Sequence, residues 1–202
     1  TIDSGWRMST SRTFLWPANG RANLDIRTNA QATRIMFNGE RAKGVAYVRG
    51  GPLGQLREVQ ARREVIICAG AINTPRLLQL SGVGDADFLQ QAGIRVQRHL
   101  PGVGQNLSDH FSVRLVARAK NVRTMNEMAR GLGLVGQVTR WLTGQPSILA
   151  LSPSLVHFFW KSRNELTRPD LQGVFSPSYR EGYVGMLDNY PGMTCGVWQH
   201  RP

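Results

Sequence analysis

The 202-residue sequence predicts an α/β fold, α+β when the chain is taken as a whole, with a change of domain near Phe111. Three observations carry this expectation. Short segments of alternating polar and apolar residues, separated by glycine-containing turns, fill the chain before Ala61. A continuous apolar run, Val65-Ile66-Ile67-Cys68-Ala69, then ends in Gly70 and feeds a helical pattern, as a central strand of a parallel sheet does. After Phe111 an amphipathic helix appears first and strands resume behind it.

Residues 24–28 and 33–37 both alternate with a period of two, so each is expected to form a strand. Asn38-Gly39 supplies a tight turn that tolerates positive φ before the next strand at residues 44–48. Gly50-Gly51-Pro52 marks another turn, leading into a strand at residues 55–59. Together these segments predict a small antiparallel meander, an insertion in or flank of a larger sheet. Residues 65–69 are expected to be buried on both faces. Thr74 is placed to cap a helix and Pro75 to occupy its first position, where no N–H is needed. That short helix should stop at Ser81-Gly82. Asp85 should cap a second one through Gln91, with Gly93 as its left-handed terminator. Residues 100–104 form a loop.

In the second half, Thr124-Met125-Asn126-Glu127 has the form of a capping box. Met125, Met128, Leu132, Val135 and Leu142 follow at helical spacing and predict one amphipathic helix with a core-facing stripe, ended by Gly144-Gln145-Pro146. Strands are expected at residues 155–160, 173–176 and 193–198.

The bulk numbers exclude several classes. A chain 41% hydrophobic and 19% charged is ordinary globular protein, neither disordered nor fibrous. No apolar run approaches the roughly 20 residues of a membrane span, so no membrane span is expected. Residues 1–6 carry no secretory signal pattern, and position 1 is not Met, which suggests processing or a fragment lacking both ends. Cys68 and Cys195 share no CxxC spacing and are expected as two free, buried thiols, compatible with a reducing cytoplasm. The +12 charge comes from scattered arginines, and its densest group, Arg57 with Arg62-Arg63, is broken by Glu58 and Glu64. That distribution reads as a solvated face, and no nucleic-acid partner is expected. A basic nucleic-acid-binding module is the alternative this charge leaves open.

There is no serine nucleophile elbow, zinc spacing or phosphate loop. Gly102-Val103-Gly104 and Gly131-Leu132-Gly133 lack the strand–helix context of a dinucleotide fingerprint. His110 has the residue type of a general base but reads as a structural histidine bonding its own loop. His99 is expected to be exposed, and His157 to sit inside the protein or in a cavity wall. Trp160, Phe158, Phe159 and Tyr179 are candidates for an apolar pocket or for core. By spacing alone, strand–Gly70–helix is a plain turn or a nucleotide-cofactor device, since helix N–H groups at such an end favour negative charge.

A resemblance narrows this. Gly70-Ala71, Thr74-Pro75, Leu77-Leu78 and Ser81-Gly82-Val83-Gly84 together resemble the second signature of glucose–methanol–choline (GMC) oxidoreductases. The segment Leu100-Pro101-Gly102-Val103-Gly104-Gln105-Asn106-Leu107-Ser108-Asp109-His110 resembles a second family block. Arg21, Asn23-Leu24, Ile26, Thr28, Ala32, Arg34-Ile35, Gly44-Val45 and Tyr47 resemble a third. Pro191-Gly192-Met193-Thr194 and Gln199, Arg201-Pro202 are similar to the family's substrate domain. The resemblance implies a choline-dehydrogenase-like enzyme oxidising the CH–OH group of an alcohol with FAD as cofactor. Its partners would be a small-molecule alcohol and an electron acceptor, oxygen or another. Residues 1–111 would be the middle of a Rossmann-like FAD-binding domain. Residues 112–202 would be the first part of a mixed-sheet substrate domain that walls the flavin. Carried over position by position, the cofactor-binding candidates are Ala32, Ala69, Gly70, Ala71, Thr74, Asn106, Asp109 and His110. Ala32 departs from the valine usual there, leaving only a main-chain contact. The family's catalytic histidine, with its partner, and its Gly-x-Gly-x-x-Gly element match nothing here, so no catalytic residue is assigned. A non-catalytic binding protein of the same fold is the second alternative.

Overall fold

The structure, a computed structural model, describes residues 2–51, 53–151, 154–178 and 187–200; Pro52, Tyr179, Arg201 and Pro202 lie outside the described residues. In chain order, β1 (Ile2–Asp3) and β2 (Trp6–Arg7) precede a π-helical turn at Ser11–Leu15 and α1 (Trp16–Ala18). Then come β3 (Ala30–Asn38), β4 (Arg41–Arg49), β5 (Gln55–Gln60), α2 (Gly70–Leu80), β6 (Val83–Gly84), α3 (Ala86–Gln91) and β7 (Arg98–His99). The remainder is β8 (Ser112–Arg118), α4 (Met125–Met128), α5 (Gly131–Leu142), a 3-10 turn at Ile148–Ala150, β9 (Val156–Trp160), β10 (Leu171–Ser176) and β11 (Gly192–Gln199). Two compact units result: Ala22–Ser108, and Thr1–Arg21 together with Asp109–Pro202.

In the unit Ala22–Ser108, β3, β4 and β5 form the expected antiparallel meander. Gly39 takes φ +57° in the turn between β3 and β4. Ile35 and Met36 of β3 and Ala46 and Tyr47 of β4 are buried, so both faces of the sheet are covered there. Ser81 ties this sheet to α2: its hydroxyl accepts the Ile35 N–H (2.7 Å) and donates to the Leu77 carbonyl (2.6 Å). Asp85 caps α3 by accepting the Phe88 N–H at 2.9 Å. The helix ends in a Schellman turn, with Gly93 N–H to Gln90 O, Ile94 N–H to Leu89 O, and Gly93 at φ +71°. Leu89, fully buried, anchors it.

Four expectations for this unit do not hold. Residues 24–28 form no strand; Arg27 instead bonds Asp25 (2.8 Å) and the Tyr47 hydroxyl (2.6 Å), which holds the segment as irregular chain. Residues 65–69 form no strand, with Ile66 75% exposed, because no described strand lies beside them to complete a ladder. Cys68 is free as expected but exposed, not buried. The helix starts at Gly70, not at Pro75, which lies inside it with Ala69 as the N-cap. The left-handed φ of Gly70, +85°, lets the chain turn into the helix five residues early.

In the other unit, β8, β11, β10 and β9 lie in that order, antiparallel throughout. Trp141 of α5 donates its indole N–H to the Gly5 carbonyl (3.1 Å) and meets Trp6 edge-on at 4.8 Å. The expected single helix is broken in two. The backbone of Arg130 is extended, Gly131 takes φ +49°, and a Cβ on Gly133 would lie 2.6 Å from the Glu127 carbonyl. Of the stripe, Met125 is buried, whereas Leu132 (89%), Val135 (61%) and Leu142 (71%) are exposed. Cys195 is half-buried. Among the described residues no helix is long and apolar enough to cross a membrane.

The capping box at Thr124 forms as its sequence predicts. Burial raises the Glu127 carboxyl, but bonds from the Thr124 hydroxyl and N–H outweigh it and hold the group below its usual range. The same hydroxyl accepts the Gly192 N–H (3.3 Å), joining α4 to β11. Thr124→Ala should therefore cost about 2 kcal/mol, from a lost cap and a buried amide left unpaired. Thr124→Ser should recover most of it; urea denaturation of the three proteins measures this.

Asp170, before β10, takes two bonds from Ser162, one from its N–H (2.8 Å) and one from its hydroxyl (2.6 Å). The hydroxyl bond first, then the amide, hold the Asp170 carboxyl below its usual range. A lowered carboxyl stabilises the fold above the ordinary aspartate pKa of about 3.9 and ceases to as pH falls through the folded value. Hydrogen-exchange protection of the Ser162 amide should thus be level down to about pH 4 and decline below it. Asp170→Ala should abolish that dependence.

Candidate functional site

Two places among the described residues hold candidates expected from the sequence, one in each compact unit. The first is the amino-terminal end of α2. The Ala69 N-cap provides no side-chain bond, and the first turn contains no acidic residue. The positive end of the helix dipole is therefore uncompensated, with main-chain N–H groups that no helix carbonyl can reach. A Cβ built on Gly70 would meet nothing within 4 Å, so the approach to that main chain is open.

Alongside, α2 and the loop at residues 102–108 enclose a cleft of about 560 Å³ that includes Ala71, Thr74 and Asn106. The loop is shaped by left-handed Gly104 (φ +82°) and Asn106 (φ +56°). Gln79 ties it down: its side-chain amide donates to the Val103 carbonyl (3.2 Å), and a Cβ on Gly104 would lie 2.5 Å from that amide. The sequence reading missed Gln79, because a glutamine on a short helix carries no distinguishing signal.

Ala32, on β3 in the same unit, is half-buried and pairs with Tyr47. A register shift follows it immediately, at Thr33, whose hydroxyl bonds the Ala46 carbonyl (3.1 Å). The bulge bends the main chain at the position where only a main-chain contact is expected. Ala69, Gly70, Ala71, Thr74, Asn106 and Ala32 thus all fall in Ala22–Ser108, while Asp109 and His110 belong to the other unit.

The second place is one face of the four-stranded sheet. Pairing of Trp198 with Ser112, Gly196 with Arg114 and Ser176 with Thr194 sets these side chains on a common face. With Asp109 and His110 they border a cavity of about 530 Å³. Thr194 donates to the Ser178 carbonyl (2.8 Å), and Ser176 to the Ser154 hydroxyl (3.3 Å). The opposite face carries Val113, Leu115, Met193 and Phe175. The alternation in Ser112–Arg118 would have revealed β8; its pairing across some 80 residues of sequence has no local signal.

Of the histidines, His99 is exposed and its Nδ1 accepts the Ala86 N–H (3.1 Å) at the start of α3. The His110 main-chain N–H bonds the Asp109 carboxylate (2.8 Å), and its ring meets His200 edge-on at 6.0 Å. His200 stacks on Phe159. His157 lies exposed on edge strand β9, which removes the interior placement, one of the two expected for it; Phe158, Phe159 and Trp160 on that strand are exposed as well. Among the described residues no group of three or more His, Cys, Asp or Glu is placed to hold a metal ion.

The first place suits the adenosine and pyrophosphate part of a dinucleotide: an open glycine, an uncapped helix start and a flanking cleft. Comparison with known proteins bears on the family alone. The GMC oxidoreductase family model matches residues 2–112. The oxygen-dependent choline dehydrogenase of Pectobacterium atrosepticum is 40% identical over 173 residues, 86% of this chain and 30% of the relative. An FAD-dependent oxidoreductase from Chaetomium thermophilum superposes with a TM-score of 0.68 at 28% identity, covering 76% of this chain and 27% of that one. Formate oxidase of Aspergillus oryzae gives a TM-score of 0.83 over the whole of this chain and 39% of that one, at 22% identity, a likeness of fold. The chain spans about 30% of the length of the choline dehydrogenase it matches.

Proposed function

The chain belongs to the GMC oxidoreductase family, one of FAD-dependent oxidoreductases, and from that premise we propose that it serves an enzyme oxidising the CH–OH group of a small alcohol. FAD, when bound, would supply the redox chemistry, as the acceptor of a hydride. The chain's own residues bind and orient. Ala69, Gly70 and Ala71, with Thr74, present main chain and the helix dipole to the adenosine and pyrophosphate. Ala32 offers main chain to the adenine, and Asn106, Asp109 and His110 line the cofactor region. The unit Ala22–Ser108 is the body of the cofactor side assigned to residues 1–111. The sheet of β8 to β11 belongs to the substrate side, residues 112–202. No residue of this chain is assigned as the catalytic base.

The observation that supports this most is the first turn of α2, uncapped and led by Gly70 with open space before it. The name of the Pectobacterium relative favours a choline-dehydrogenase-like reaction, with oxygen or another acceptor reoxidising the flavin. Free Cys68 and Cys195 suit a reducing compartment such as the cytoplasm. The test is anaerobic addition of alcohols to the flavin-loaded protein that contains this chain. Loss of the oxidised flavin's visible absorption is expected. A flavin left unchanged by every alcohol would overturn the reading. The 202-residue chain alone, purified, should carry no stoichiometric flavin.

A further inference from the structure

We propose that the cleft between the β3–β5 meander and the turn after α2 is an anion site that takes a small phosphate monoester; it does not rest on the oxidoreductase reading above. The cleft encloses about 400 Å³ and lies wholly within the unit Ala22–Ser108. That volume falls in the range of small-molecule sites, about 300–1,000 Å³. Arg34 of β3, Lys43 of β4 and Arg95, just after α3, border it together with a single carboxylate, Glu58 of β5. Arg34 and Glu58 share a sheet face, because both pair with Ala46. Their charged groups stand 3.7 Å apart, too far for a hydrogen bond, so the guanidinium keeps its donors for a ligand. The side chains of Lys43 and Arg95 bond no described residue. Three cations from three segments against one carboxylate leave a surplus of two positive charges around one cleft. An anion relieves their mutual repulsion, and a phosphate monoester carries a matching charge of about −1.5 to −2 at neutral pH.

The walls of the cleft are braced before any ligand arrives. The Ser81 hydroxyl, bonded to Ile35 N–H and to the Leu77 carbonyl, ties the end of α2 to β3. The Gln97 side-chain amide donates to the Gly39 carbonyl, which ties the segment bearing Arg95 to the β3–β4 turn. Such preorganisation lowers the cost of binding. The cleft lies at the carboxyl end of α2, whose dipole would repel an anion if its carbonyls were bare. They are not: Ser81 N–H bonds the Leu77 and Leu78 carbonyls, and Gly82 N–H bonds that of Gln79. Leu80 and Ile94 also border the cleft and offer apolar surface to the carbon body of an ester. Gly70, where FAD is assigned, opens the other end of this 11-residue helix, about 15 Å away. The two sites are therefore separate.

The test is calorimetric titration, at low salt, of the whole protein that contains this chain, with and without excess FAD. The probes are phenyl phosphate, inorganic phosphate and benzoate. Phenyl phosphate should bind at least about tenfold more tightly than either of the others, equally well with FAD present, and more weakly as chloride rises. Lys43→Met and Arg95→Met should each weaken it by roughly three- to tenfold, the loss of one charge-assisted contact. Both side chains are exposed, so urea midpoints should stay unchanged, and poor folding of one variant leaves the other to decide. Glu58→Gln should tighten binding. Arg57→Met is the control: Arg57 neighbours Glu58 on β5 but points to the opposite face, and its loss should change nothing. No binding of phenyl phosphate would overturn the proposal. So would an equal loss in Arg57→Met, which would mark a general effect of charge, or displacement by FAD, which would place the anion at the other end of α2. Benzoate or inorganic phosphate binding as tightly as phenyl phosphate would overturn the choice of a phosphate monoester.

Discussion

Replacing Gly82 by alanine should destabilise the unit Ala22–Ser108 by about 3–5 kcal/mol, near the upper end for a single substitution. Gly82 follows α2 at φ +85°, where an L side chain costs about 1–2 kcal/mol. A Cβ there would also lie 2.4 Å from the Arg95 carbonyl and 2.9 Å from the Gln97 amide, both main-chain atoms. Since backbone cannot swing aside as a long side chain can, the chain at residues 95–98 would have to retreat. That retreat breaks the two bonds Gly82 O accepts, from Gln97 N–H (2.7 Å) and Arg98 N–H (3.1 Å). With them goes the parallel pairing of β6 and β7. Gly93→Ala is the control: its φ is +71°, but its Cβ would meet nothing within 4 Å. It should cost about 1–2 kcal/mol, the conformational term alone. Urea midpoints at constant m-value measure both. Equal losses would show that strain, and not the clash, dominates at Gly82.

The features legible in the sequence were those whose cause is local. The β3–β4 turn is fixed by Asn38-Gly39, the α3 boundaries by Asp85 and Gly93, and the α4 start by Thr124 and Glu127 three residues on. Each involves neighbours within a few positions, so residue type and spacing suffice. Residues 65–69 show the limit. Their apolar character announces a central strand, but a strand exists only through partners, and none is described beside them. The early start of α2 was hidden for another reason: Pro75 is so favourable at a first helical position that it masked the freedom of Gly70. Likewise, the Met125–Leu142 periodicity ran through three glycines, and the close approach of Gly133 to Glu127 breaks it.

The candidate site divides in the same way. Ala69, Gly70, Ala71 and Thr74 are consecutive or nearly so, and the resemblance placed them together at one helix end, where the structure also has them. The hydroxyl-lined face is different. Ser112, Ser176 and Thr194 are brought together by strand register across some 80 residues of sequence, and a serine in isolation signals nothing. That face became visible only once β11 was paired on both sides.

Gly70→Ala should lower flavin occupancy of the cofactor-loaded protein by at least about tenfold, or about 1.4 kcal/mol of binding. The argument separates two costs that a glycine substitution usually confounds. At φ +85° alanine is strained by about 1–2 kcal/mol, a loss that falls on folding. Nothing in the protein lies within 4 Å of the added methyl, so the fold suffers no clash beyond that strain. Whatever is lost in flavin affinity beyond the lost stability must therefore come from the space in front of the helix. Gly93→Ala carries the same strain without facing α2 and should leave flavin content unchanged. Gly70→Val fills more of that space and should deplete the cofactor further. The measurement is the ratio of visible flavin to protein absorbance in each purified variant, alongside its urea midpoint. Wild-type flavin content in Gly70→Ala would mean that no ligand approaches this end of α2. The cofactor assignment of Ala69, Gly70, Ala71 and Thr74 would then fail together, because all four rest on the one uncapped turn.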